Sequence, residues 1–172
     1  NFSSKIEIKN NPITLKDINY KKEKNVFSNI EIEGEYLNDK KVKFNKINYI
    51  ENNNRILISN LYLSNNFKII DVETLMLKFI NENKNINHLD LSKKENKFIV
   101  VSKNFDAKSI LESIIDGDSN NKFLNNFKNL NSQIILNLNN LLINEIDYMS
   151  KFSGNLNLRK NKIISGEIKS YL

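Results

Sequence analysis

The chain has 172 residues, enough for one domain with a real core and too few for two comfortable ones. Its 26 Lys+Arg against 20 Asp+Glu give a net charge of +6, but nearly all the cations are Lys, and only Arg55 and Arg159 offer the fork that phosphate and base readers favour. Without Cys there is no disulfide framework and no thiolate metal site, and no apolar run approaches the ~18 residues of a spanning helix.

From Ser3 onward the dominant signal is alternation in short segments separated by Asn and Lys clusters, as in a succession of antiparallel strands. Lys5 to Lys9 alternates cleanly and is broken at Asn10-Asn11-Pro12, because Pro cannot donate to a central ladder. Ile13, Leu15, Ile18 and Tyr20 suggest a second strand with a slip, and Lys21 to Asn25 reads as a solvated turn. Ile30, Ile32, Gly34 and Tyr36 face inward, with Glu31, Glu33 and Glu35 outward. Across the turn Asn38-Asp39-Lys40, Val42 and Phe44 face in, and Lys41, Lys43 and Asn45 face out. The Glu row opposite the Lys row suits cross-strand pairing and makes this the clearest hairpin.

Asn52-Asn53-Asn54 turns into Ile56 to Leu63, and Ser64-Asn65-Asn66 turns into Phe67, since Asn tolerates positive φ and caps its own turns. Asp71 to Ile80 fits both a helical stripe and a strand; the strand is favoured because its neighbours on both sides are strand-like, and a helix capped by Asp71 is the rival. A strand at Ile86 to Leu91 and a turn at Lys93 to Asn96 lead into the central stretch. There Phe98 to Val101 reads as a strand, and the period then changes to about 3.6. Asp106 is placed to cap a short helix near 106-116, accepting from the N–H of Ser109. Ile110, Leu111, Ile114 and Ile115 form its stripe, and Gly117 supplies its left-handed end.

The segment 118-131 is polar with Phe123, Leu124 and Phe127 embedded, and a sub-boundary near 117-131 is the one candidate division of a single β-rich segment over 1-172. Ser132, Ile134, Leu136 and Leu138 restore alternation, Leu141 to Tyr148 continues as a further strand, and Phe152 to Leu158 with Ile163 to Lys169 closes the chain as a hairpin over Arg159 to Lys162. Starting at Asn1 in a strand-like pattern and ending at Leu172 still patterned as strand, the chain reads as an excerpt of a longer polypeptide.

The string Ser102 to Leu111 resembles the strand-to-helix motif of AsmA-like proteins of Gram-negative bacteria, usually written as a Gly, two variable residues, Phe-Asp and a small or basic residue before a helix. Phe105 and Asp106 stand at the Phe-Asp positions and Ser102 stands in the place of the Gly. Phe152 to Leu158 with Gly154, the Lys-Asn turn, and Ile163 to Gly166 are similar to the repeated hairpins of that family, and the likeness covers roughly Phe67 to Leu172. It implies a meander of successive hairpins curved into a U-shaped or half-open trough, in a large envelope protein anchored to the inner membrane through a segment not included in this chain. Such proteins are implicated in moving phospholipids across the periplasm.

Chemistry-bearing residues are sparse. His88 is the only His and reads as an ordinary sheet residue; a lone His makes a poor metal site and a poor base. Asp116 and Asp118 around Gly117 lack the Glu that closes a calcium loop, and four Gly provide no phosphate-binding loop. The six Tyr are scattered at strand positions. No enzyme, cofactor, metal or nucleic-acid partner is expected. What remains is an apolar sheet face lined by Ile30, Ile32, Val42, Phe44, Ile56, Ile58, Ile134, Leu136, Leu138, Leu156 and Ile164, too large for one short helix to cover. Two coverings compete: phospholipid acyl chains in an open groove, or the second half of a closed β-sandwich that serves as a non-enzymatic interaction or structural domain of the envelope.

Overall fold

The computed structural model describes residues 1–108, 124–143 and 147–171. Ten strands form one sheet: β1 (Phe2–Ile8), β4 (Ser28–Tyr36), β5 (Val42–Glu51), β6 (Asn54–Leu63), β7 (Ile69–Ile80), β8 (Ile86–Lys94), β9 (Lys97–Asp106), β10 (Ser132–Leu142), β11 (Tyr148–Arg159) and β12 (Lys162–Tyr171), in the order β1-β4-β5-β6-β7-β8-β9-β10-β11-β12. The sheet is open, with β1 and β12 as its edges, so the chain is mainly β. It exposes 11053 Å². A compact protein of this mass exposes about 8,700 Å², and the excess belongs to a broad single layer. The competing closed sandwich does not form.

Turns are built on Asn and Lys in the left-handed region, among them Asn52, Lys84 and Asn161, which explains a ten-strand sheet with few Gly. The ambiguous segment is strand β7. Thr74, Met76 and Lys78 alternate with Leu75, Leu77 and Phe79, and pairing with β6 on one side and β8 on the other decides between the two templates.

Five expectations are corrected. The segment after Pro12 does not join the meander: β2 (Ile13–Leu15) and β3 (Tyr20–Lys22) form a separate hairpin, reversed by a tight turn ending at Asn19 with φ 51°. Lys22, placed in a solvated turn, is wholly buried; its Nζ donates to the backbone oxygens of Asn11 (2.8 Å), Glu23 (3.2 Å) and Lys9 (3.4 Å), which replace its hydration. Phe67 is an exposed turn residue with φ 59°, and β7 starts at Ile69. The stretch Leu141 to Tyr148 is not a strand of its own: β10 runs through Leu142, the N–H of Ile143 bonds the oxygen of Asp147 at 3.1 Å, and β11 begins at Tyr148.

The fifth correction concerns topology. β9 and β10 are adjacent and parallel, from Gln133↔Lys97 to Leu142↔Asp106, whereas a pure meander makes every neighbour antiparallel. Parallel neighbours need a long crossover, and the polar stretch after Asp106 supplies one of the required length. The sheet therefore continues without a break across the candidate sub-boundary near 117-131. No α-helical element is found among the described residues. Of the helix expected near 106-116, Asp106 is the last residue of β9, while 109-116 and Gly117 lie outside the described residues.

Candidate functional site

Strand alternation carried across a common register makes one face of the sheet apolar from edge to edge. One row reads Ser4, Ile32, Ile47, Ile58, Leu75, Leu91, Val100, Leu136, Gly154, Ile168, with each residue opposite the next. The row beside it reads Ile6, Ile30, Tyr49, Ile56, Leu77, Leu89, Ser102, Leu138, Phe152. On the other face, Lys5, Glu31, Asn48, Leu57, Met76, Asp90, Val101, Asn137, Ser153 and Lys169 form a row that is mostly polar. The anticipated Glu–Lys pairing is found there. Glu31 meets Lys46 at 3.3 Å and Lys5 at 3.8 Å, and Glu35 meets Lys43 at 3.3 Å. The bond from Asn48 Nδ2, followed by the Lys46 ammonium, holds the Glu31 carboxyl below its usual value.

The apolar face is unevenly covered. At the end of the strands carrying Tyr49, Phe79 and Phe105, the β2–β3 hairpin lays Tyr20 across the sheet, edge-on to Phe79 (5.5 Å between ring centres) and to Tyr49 (5.9 Å). Tyr20 bonds Tyr49 Oη at 2.7 Å and donates to Glu51, whose carboxylate also accepts from Asn54 Nδ2 at 3.2 Å. Tyr20, Tyr49 and Phe79 join Leu77, Leu138, Leu141 and Phe152 in the buried core. Along the neighbouring row Ile32, Ile47, Ile58, Leu75, Leu91 and Leu136 are only half-buried. Among the described residues, the only sheet outside the ten strands is the β2–β3 hairpin.

Burial raises the Tyr20 phenol above its usual value, with the hydrogen bonds to Glu51 and Tyr49 adding to it, and burial raises Tyr49 in the same direction. The fold therefore favours the neutral phenols. Stability is complete below the unfolded tyrosine value of about 10 and falls as pH rises beyond it, by about 1.4 kcal/mol per pH unit for each such group. Urea titrations between neutral and strongly alkaline pH are expected to show this decline, with Tyr20→Phe giving the shallower slope; equal slopes would contradict the assignment.

Of the residues predicted to line the groove, Ile32, Ile58 and Leu136 lie on the half-buried row, and Ile30, Ile56, Ile134 and Leu136 pack partly against the core. Ile134 and Leu156 are opposite one another on the next row, with Gly166 beyond. Val42 pairs with Tyr36 and Leu63 at the far end of the face, and Phe44 meets Phe2 edge-on at 5.7 Å. Leu138 is fully buried and belongs to the core instead of an open surface. Ile164 stands apart: it falls at the irregularity between Asn157↔Ser165 and Leu158↔Ile163, has no register partner, and lines a shallow pocket with Lys97 and Gln133 of the polar face. Sequence reasoning missed Ile47, Leu75 and Leu91 on the half-buried row, and Val100, which like Leu138 is buried in the core. Asn45 is the extra residue between Glu33↔Lys46 and Gly34↔Phe44, so the inward phase of β5 changes from Val42 and Phe44 to Ile47 and Tyr49. The paired positives Lys43 and Lys46, three apart on the outward side, were the available signal.

The motif residues have structural roles. Phe105 is in the core, and Asp106 Oδ1 accepts from the N–H of Lys108 at 3.2 Å; Ser109, its anticipated donor, lies outside the described residues. His88 sits 3.1 Å from Asp90 on the polar face. Among the described residues no three His, Asp or Glu gather as a metal site, and no helix is long and apolar enough to cross a membrane. Asp116 and Asp118 lie outside them.

What the fold and face define is a broad open β-sheet with one apolar side, one charged side and a single closed end. No family model, curated protein or solved structure matches the chain.

Proposed function

We propose that the half-buried apolar face holds phospholipid acyl chains, with head groups left in water, as a non-enzymatic segment of an AsmA-like periplasmic protein that supports lipid transport between inner and outer membranes. The observation that carries this reading is the row running through ten strands, apolar in all but Ser4, with the small β2–β3 hairpin the only sheet outside them among the described residues. Such a face must be covered. Each buried CH₂ is worth about 0.8 kcal/mol and requires no fixed hydrogen-bond register, so a chain can slide along the row. In this reading the sheet curves into a U-shaped trough, Tyr20 closes one end, the rest of a longer polypeptide continues it and provides the membrane anchor, and nucleic acid plays no part. The likeness of Ser102 to Leu111 and of the β11–β12 hairpin to AsmA-like proteins supports the assignment.

The test is to purify the chain without delipidation and weigh what it carries by native mass spectrometry. Phospholipid is expected. Ile58→Thr with Leu91→Thr keeps two β-formers on the face and removes two apolar contacts, and lipid retention is expected to fall about tenfold. Lipid-free protein, or equal retention by a variant with unchanged circular dichroism, overturns the proposal.

A further inference from the structure

The polar face carries a feature of its own where the β8–β9 and β11–β12 turns meet the start of β10. Lys97, Gln133, Asn157 and Ser165 form a row there across four strands, each opposite the next. Arg159 stands two residues beyond Asn157 on the same side of β11. Together they line an open cleft of about 600 Å³, within the range of small-molecule sites. Its walls are fixed. Ser132 Oγ and the N–H of Gln133 donate to the Asn96 oxygen at 2.8 and 3.2 Å, which holds the β8–β9 turn to β10. The β11–β12 turn is held to segment 127–131: Asn161 Nδ2 donates to the Phe127 oxygen at 2.9 Å, its N–H to the Leu130 oxygen at 3.1 Å, and the N–H of Lys160 to Asn131 Oδ1 at 3.0 Å.

Charge sets this cleft apart from the rest of the face. On the β4–β5 hairpin the cations are matched, Lys46 with Glu31 and Lys43 with Glu35, each at 3.3 Å. Around the cleft like charges oppose each other instead: Lys94 faces Lys97 across one ladder, and Arg159 faces Lys162 across another, an arrangement that is unfavourable without a counter-charge. Among the described residues none of these four has a carboxylate in ion-pair range, and the Arg159 guanidinium has no hydrogen-bond partner. Glu95, the carboxylate on the cleft wall, pairs with none of them. Arg159 is also one of only two Arg in a chain whose other cations are Lys, and its planar fork is the group that fits phosphate oxygens two at a time. The row from Lys97 to Ser165 spans three strand spacings, about 14 Å. That is longer than a bare phosphate, and its amides and hydroxyl can both donate to and accept from alcohol groups.

We propose that this cleft binds a phosphate group carried on a small polyol, with Arg159 and Lys97 on the phosphate and Gln133, Asn157 and Ser165 on the hydroxyls. The site lies on the face opposite the apolar row, needs no free sheet edge, and does not rest on acyl-chain binding.

Amide chemical shifts of the purified chain titrated with glycerophosphate are the readout. Saturable shifts at Lys97, Gln133, Asn157 and Arg159 are expected, with inorganic phosphate binding more weakly. Arg159→Gln and Lys97→Gln are each expected to weaken binding about tenfold with unchanged circular dichroism. Arg159→Lys should restore only part of the loss, because an ammonium lacks the fork. Lys46→Gln, on the matched part of the same face, should bind as the parent does. Flotation with phosphatidylcholine vesicles, with and without phosphatidylglycerol, separates the two sources of the group. Flotation that requires both phosphatidylglycerol and Arg159 assigns it to a lipid headgroup, and glycerophosphate binding without flotation assigns it to a soluble ligand. Absence of both kinds of binding, inorganic phosphate held as tightly as glycerophosphate, or undiminished affinity in Arg159→Gln overturns the proposal.

Discussion

Phe79→Ala is expected to destabilise the protein by about 4 kcal/mol, a large part of a domain's whole stability. Phe79 is 1% exposed and receives the edge of the Tyr20 ring, so truncation removes the floor on which the β2–β3 hairpin rests. Collapse cannot easily fill the gap. The neighbours on one side are held by the β6 and β8 ladders, and Tyr20 on the other is fixed by its bonds to Tyr49 and Glu51. The urea midpoint should fall without a change in slope. A Tyr20→Ala, Phe79→Ala double variant should lose less than the sum of the singles, because both remove one contact. A loss under 1 kcal/mol would mean that the hairpin does not seal this end of the face.

Asp106→Ala is expected to cost about 3 kcal/mol. Its carboxylate accepts from Asn81 Nδ2 at 2.7 Å and Asn85 Nδ2 at 3.5 Å, its own N–H donates to Asn87 Oδ1 at 2.7 Å, and Asn81, Asn87 and Asp106 are all buried. This network ties the turn between β7 and β8 to the end of β9, and removing the carboxylate leaves a buried amide without an acceptor. Asp106→Asn retains one carbonyl oxygen for Asn81 and should lose less. Hydrogen exchange of residues 81–87 is the direct readout: faster exchange in Asp106→Ala is expected, and unchanged protection would remove Asp106 from this role.

Asp106 also shows why a motif can be found for a partly different reason. Its place after an apolar strand suggests a cap, and it does accept from a backbone N–H two residues on, yet its strongest partner is an Asn 25 residues earlier that sequence spacing does not reveal. Lys22 teaches the same in reverse. A run of Lys and Glu reads as solvated, and only the return of the loop at Lys9 and Asn11 supplies the carbonyls that let one of those lysines be buried.

By itself the sequence determined the local period. Alternation set which side of each strand faces which way, Asn and Lys at turns set where strands reverse, and the Glu and Lys rows set the polar side of the β4–β5 hairpin, because each depends on residues within a few positions of one another. Only the tertiary structure decided that β9 and β10 run parallel, that Asn45 shifts the inward phase of β5, and that Tyr20 closes one end of the face while the adjacent row stays half-open. Those outcomes follow from pairing energies between strands distant in sequence, and alternation is identical for a parallel neighbour, an antiparallel neighbour and a free edge.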